Sequence, residues 1–379
     1  MVKSPTKTDT IDLEAKYFLN ADGLDYCLKN RIPVRDLLGR DMGRSSGFEW
    51  RSCRVETLSR LVSGGFLSAV EATRPEFVTV RESLVKLAGV VLTGLLLSRF
   101  RADLWRRVSS DSSIASLAHL LRDGGPSGRK AAAVRLGSGA RLDELRSAIG
   151  AECAGAVATS GSVDEDGEPG ARCARLIAAI DEELLRMLAL AGAAPVGAVA
   201  QIVLAYAGRM GVAEYLSLIL VEIIQLAEKS YLHNLAERDR YVRTHPQELQ
   251  RLLATPSFRE RLMEIAAIRG ESMLLRVDLS PPLPGAGSLR RMDISTRTRG
   301  LIGYGSRYDV LNGKAKAVRT MDLAALLSFA AGNDAGAKLG LVYYSNLAEA
   351  CAKVGMLFSS SVVLDERKDE TVASMSVTV

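Results

Sequence analysis

The chain has 379 residues, 47% hydrophobic and 25% charged, which excludes a disordered, collagen-like or fibrous polymer and allows two or three packed units at roughly 100–200 residues each. Its 49 Lys and Arg against 44 Asp and Glu leave a net charge of +5. Arg outnumbers Lys by 37 to 12, yet no block concentrates the basic residues, so nucleic acid is not the expected partner.

Residues 1–10 read as a loose polar tail without the apolar region of a secretory signal. Residues 11–121 read mainly as helix with some strand, because VETLSRLVSGGFLSAVEA and VRESLVKLAGVVLTGLLLSRFRADLWRRV carry apolar residues three and four apart. This predicts an N-terminal, mostly helical domain. Residues 122–170 form a linker region, with turn formers at Arg122–Arg129 and Thr159–Gly170 and short helices between them around a turn at Gly137–Gly139. Helices follow over 171–211, broken at Gly192–Pro195, where Pro195 suits the first turn of the helix it opens. Two stretches approach a membrane span. Leu87–Ser98 is too short at about 1.5 Å per residue, and Met187–Gly208 is rich in Ala and Gly and interrupted by Pro195, so both read as buried helices and no span is expected.

From residue 212 the chain reads as a long helix, a further helical stretch over 232–270, and a hairpin of MLLRVDL and LRRMDISTR across the turn PPLPGAG. A helix at LGLVYYSNLAEACAKVG and the strands MLFSSSVVL and TVASMSVTV close it. The five cysteines, Cys27, Cys53, Cys153, Cys173 and Cys351, are widely spaced with no C-x-x-C pair. That pattern predicts reduced thiols and a cytoplasmic setting.

Three motifs in this last region carry a family resemblance. Leu220-Val221-Glu222-Ile223-Ile224-Gln225-Leu226-Ala227 looks like an N box, E/N-L-L-x-N-A; Ile294 to Ile302 is similar to V-x-D-N-G-x-G-I, with Gly300 at its glycine; and Gly336-Ala337-Lys338-Leu339-Gly340-Leu341 looks like G-x-G-L-G-L. In that order, residues 212–379 resemble the ATP-binding domain of the GHKL superfamily of histidine-kinase, gyrase and MutL-type ATPases. The resemblance implies a two-layer α/β sandwich. It also implies a nucleotide site at Glu222, Leu226, Thr298, Gly300, Gly336, Lys338 and Gly340.

Departures from the family pattern shape the functional expectation. The N-box Asn that holds Mg²⁺ in the family is replaced by Leu226, which cannot ligate a hard cation. Thr298, flanked by Arg297 and Arg299, stands where the family has the Asp that recognises adenine. Lys338 interrupts glycines that let backbone N–H groups approach phosphate. Glu222 stands at the position that activates water in hydrolysing members, with a solvated or capped glutamate on an amphipathic helix as the plainer reading.

Other signals are bland. His119 is followed by Leu120, His233 lies after the N box and His245 precedes Pro246, so none suits a phospho-acceptor, and scattered His and Cys give no metal site. Phe100 and Trp105 among the arginines of FRADLWRR read as the inward edge of an amphipathic helix. The alternating charges of Glu237–Arg243 read as a solvated face. The fold expected is mixed α/β (α+β). The function expected is a non-catalytic, pseudo-ATPase or pseudo-kinase signalling scaffold, free of cofactor and metal, that acts through a protein partner or as a homodimer joined by the helices of 171–211. The alternative is a divergent ATPase or kinase that uses ATP, Mg, Glu222 and the Gly336–Gly340 loop.

Overall fold

The computed structural model describes residues 10–40, 42–111, 114–122, 124–136, 142–159, 168–191, 195–238, 242, 245–280, 290–299, 347–365 and 370–379. The chain divides into two compact units, one of Met1–Leu92 with Glu214–Val379 and one of Thr93–Ala213.

The first unit is built on one eight-stranded antiparallel sheet. Its strands are β2 (Ala15–Leu19), β3 (Arg35–Gly39), β4 (Gly43–Trp50), β6 (Leu67–Arg74), β7 (Met273–Ser280), β8 (Arg291–Arg299), β9 (Leu357–Asp365) and β10 (Glu370–Thr378), in the order β3-β4-β2-β6-β7-β8-β10-β9. A separate pair joins β1 (Thr10–Ile11) to β5 (Cys53–Arg54). Helix α1 (Ala21–Lys29) starts on Asn20, whose Oδ1 accepts the Gly23 N–H at 2.8 Å while its Nδ2 donates to the Gly65 carbonyl at 2.6 Å. A side chain at Gly23 would begin 2.2 Å from the Phe66 carbonyl oxygen, so only glycine allows that turn of α1 to sit against the start of β6. Helix α2 (Val55–Ser63) buries Leu58, Leu61 and Val62.

The expectation of a mostly helical N-terminal domain is therefore corrected over residues 10–74, which carry six strands. The segment FLSAVEA shows why. Its apolar residues at 67, 69, 70 and 72 fit helical spacing, but they belong to β6, a strand buried on both faces, which loses the alternation that marks a half-exposed strand. The hairpin expected from Met273 to Arg297 is present, with Leu275 opposite Thr296 and Val277 opposite Ile294. The closing pair is present too, with Met375 opposite Ser360.

Strand β7 links the two ends of the chain. It pairs with β8 on one side and with β6 on the other, Val70 facing Val277 and Ala72 facing Leu275. On one face of the sheet, Leu275, Val277, Met292 and Ile294 meet Leu84, Leu87, Ala88 and Val91 of helix α3 (Arg81–Ser109) and Val221 and Ile224 of helix α9 (Pro195–Glu237). The gap left among these ten side chains is about 10 Å³, room for one water at most, so this layer is closely packed core.

The second unit is all helix among its described residues: the later part of α3, α4 (Ala115–Arg122), α5 (Gly125–Leu136), α6 (Leu142–Thr159), α7 (Glu168–Ala178), α8 (Glu182–Ala191) and the start of α9. The turn-rich stretch Arg122–Arg129, expected as linker, gives way to α5 at Gly125. Pro195 opens α9 as its position suggested. Phe100 is fully buried as expected, whereas Trp105 is only half-buried. Asp103 collects the Tyr206 hydroxyl at 2.5 Å, Arg99 Nε at 3.3 Å and Arg106 Nη1 at 3.1 Å, so the charges of FRADLWRR are used inside the unit.

Two helices, Val78–Ser109 and Val196–Ile219, are long and apolar enough to cross a membrane by length and composition. Leu87–Ser98, too short for a span by itself, lies within a helix of 29 residues. The apolar window of Val78–Ser109 is 56% buried inside the chain.

Candidate functional site

The site implied by the sequence centres on α9 and the β7–β8 hairpin. Glu222 and Leu226 lie on α9, within and just beyond the turn whose Val221 and Ile224 press on Leu275, Val277, Met292 and Ile294. The side chains of Glu222 and Leu226 are outside the described ones. Thr298 sits on β8, 3% exposed and opposite Thr371 of β10, and the hydroxyl of Thr296, equally buried, lies on the same face of the same strand. Gly300, Gly336, Lys338 and Gly340 lie outside the described residues, as does the stretch 160–167 of the second expected linker. The helix expected near the C-terminus is described over 347–353 and ends in a turn with Gly355 at φ 71°. Of the elements around the implied site, α9 meets the β7–β8 hairpin through Val221 and Ile224, and β10 pairs with β8.

One turn past Ile224, α9 carries a charged interior that sequence reasoning missed. Glu228 is 2% exposed. It lies under the 3₁₀ turn Val78–Val80 that leads into α3, where the N–H groups of Phe77 and Val78 approach its carboxylate without closing to full hydrogen bonds. Helix α11 (Pro256–Ile268, following α10 at Leu249–Leu253) supplies Arg259, whose Nη2 stands 3.6 Å from Glu228 and 3.6 Å from Glu76. Burial dominates and raises the Glu228 carboxyl above its ordinary range, and the Glu76 charge adds to this. The two backbone N–H groups and Arg259 oppose the shift. Nearby on α9, burial pushes the Tyr231 hydroxyl up to about 12. Arg238 Nη1 meets Glu271 Oε1 at 2.8 Å. A single carboxylate inside a long apolar helix gives no periodic signal, so only its burial against α3 and α11 singles Glu228 out.

The opposite face of the sheet holds a second buried charge group. Arg276 on β7, 7% exposed, donates through Nε and Nη2 to Asp278 at 2.8–2.9 Å and lies 3.8 Å from Glu71 of β6. Glu71, 5% exposed, accepts the Arg40 backbone N–H at 3.1 Å. Glu71 and Arg276 are cross-strand partners, so opposite charges face one another at the seam between the N-terminal and C-terminal parts of the sheet. The Arg276–Glu71 approach at 3.8 Å is an ion pair longer than a hydrogen bond. Among the described residues no cluster of three or more His, Cys, Asp or Glu side chains is arranged to hold a metal ion.

The chemistry available near α9 is therefore a buried carboxylate beside an arginine, two buried threonine hydroxyls on β8, and an apolar interface between helix and sheet. No curated protein and no solved structure matches the chain. The model of a family of unknown function, DUF8084, matches residues 6–116 and 194–379, leaving out 117–193 of the helical unit, and the chain belongs to that family.

Proposed function

We propose that this chain is a non-catalytic GHKL-like protein that acts by protein–protein contact, as a regulatory or scaffold component of the cytoplasm. The observation that carries the reading is the succession of helix α9, hairpin β7–β8 and closing pair β9–β10, with the pairing β7-β8-β10-β9 and helices laid on one face. These four strands make up half of a sheet of eight, the other half coming from residues 15–74, so the two-layer sandwich that the three motifs imply is read here as part of a larger sheet. Within it, Leu226 and Thr298 stand where that family places a magnesium ligand and an adenine acceptor, and an aliphatic side chain offers no electron pair to Mg²⁺.

A domain that keeps the framework without the ligands retains its surfaces, and binding through them is the remaining use. Helices 171–211 support self-association: Leu190 on α8 is 54% exposed, and Ala205 and Gly208 are exposed on α9. Titration calorimetry with ATP and Mg²⁺ tests the reading. No saturable heat is expected; binding at micromolar concentration would restore the divergent ATPase or kinase built on Glu222 and the Gly336–Gly340 loop.

A further inference from the structure

We infer that Cys153 and Cys173 are a dithiol pair that closes reversibly to a disulfide, tying α6 to α7 in the helical unit. The two residues are 20 positions apart and lie on consecutive helices that pack against each other. Both side chains are buried, at 2% and 4% exposure, and their thiols lie within electrostatic reach of one another, with Cys153 Sγ 3.8 Å from the Ala200 carbonyl oxygen. A second contact fixes the geometry. A Cβ at Gly150, one turn before Cys153, would lie 3.9 Å from Ile177 Cδ1, one turn after Cys173. The proximities of 150 to 177 and of 153 to 173 are those of antiparallel helices in register, and a Cβ on Gly150 would make ordinary van der Waals contact with Ile177. The other three cysteines, Cys27, Cys53 and Cys351, are also free and buried, but they belong to the other unit.

The local charges set the order of attack. Burial raises both thiols, Cys153 to about 11; against that, the Cys153 S–H and the Arg172 guanidinium both favour a thiolate on Cys173. Cys173 is the attacking sulfur. With a low-molecular-weight disulfide such as oxidised glutathione as oxidant, the Cys173 thiolate displaces one glutathione thiolate and forms a mixed disulfide. Cys153 then attacks the Cys173 sulfur and releases the second glutathione. The protein loses two electrons and two protons, and one oxidised glutathione becomes two reduced ones. Because both thiols are buried, the first step follows local opening of the helix pair, so oxidation is slow in the native state and the second step is fast. Both cysteines lie in 117–193, the segment that the family match leaves out, so the device is a property of this insertion.

Full-length protein is incubated with oxidised glutathione, alkylated under denaturing conditions and mapped by mass spectrometry. The expected product has lost two hydrogen atoms, joins the peptides of Cys153 and Cys173, leaves Cys27, Cys53 and Cys351 alkylated, melts at a higher temperature than the reduced protein, and reverts with dithiothreitol. Cys153→Ser is expected to accumulate a glutathione adduct on Cys173. Five alkylated cysteines after oxidation, or linkages scattered among all five, would overturn the inference in the wild-type protein, whatever the variant does.

Discussion

Burial of an ionisable side chain leaves a signature in the pH dependence of stability, and Glu228 is the clearest case. Its carboxyl is raised in the folded chain above the ordinary value of 4.5, so between the two values the folded state holds more proton than the unfolded state. The associated stabilisation is complete below about 4.5 and is lost as pH rises through the raised value. Glu228→Gln removes the titration. Urea midpoints of wild type relative to this variant should therefore increase as the solution is acidified from neutrality toward about pH 5; parallel curves would show that Glu228 is not buried as described. Arg276 gives the complementary prediction. Arg276→Met leaves the buried Glu71 carboxylate facing an apolar side chain across the sheet seam, and removing one partner of such a pair costs about 3–5 kcal/mol. Pairing it with Glu71→Leu should recover much of the loss, since the cost lies in the uncompensated charge.

At the scale of elements, the junction of α1 and β6 hangs on one side chain. Asn20 caps α1 through Gly23 and also holds the Gly65 carbonyl. Asn20→Ala should thus destabilise by about 1–2 kcal/mol, the upper part of the range for a lost N-cap, in thermal or urea melts. Asn20→Asp keeps the cap acceptor but loses the donor to Gly65, and an intermediate loss is expected. Gly65 itself holds φ 71°, with Arg290 Nη1 3.1 Å from where a Cβ would stand. Gly65→Ala combines the left-handed backbone penalty of about 1–2 kcal/mol with displacement of that guanidinium.

For the whole molecule, β6 of the N-terminal part and β7 of the C-terminal part are adjacent strands of one sheet. A fragment of residues 212–379 therefore exposes β7 as an unpaired edge whose 273–277 stretch is buried on both faces in the intact chain, and it also loses the α3 side chains that cover Leu275 and Ile294. We expect this fragment to aggregate or remain unfolded, by circular dichroism and sedimentation, and to recover when residues 10–92 are supplied. The intact chain is expected to be a homodimer by light scattering, a direct test of the self-association argued from helices 171–211.

The sequence by itself determined the local elements whose signals are short-range. Alternation in MLLRVDL and LRRMDISTR marked β7 and β8, the final two strands were legible from β-branched and serine-rich runs, and Pro195 marked the start of α9. These patterns arise from periods of 2 and 3.6 and from the missing N–H of proline, so neighbours along the chain suffice to read them. Tertiary structure alone decided what lies far apart in sequence. It paired β6 with β7 across about 200 residues, buried Glu228 beneath the start of α3, and brought Cys153 to Cys173, two cysteines that spacing had left unrelated. Strand pairing, desolvation and thiol contact are set by distances in space, and no periodicity in the chain encodes which distant segment will supply the partner.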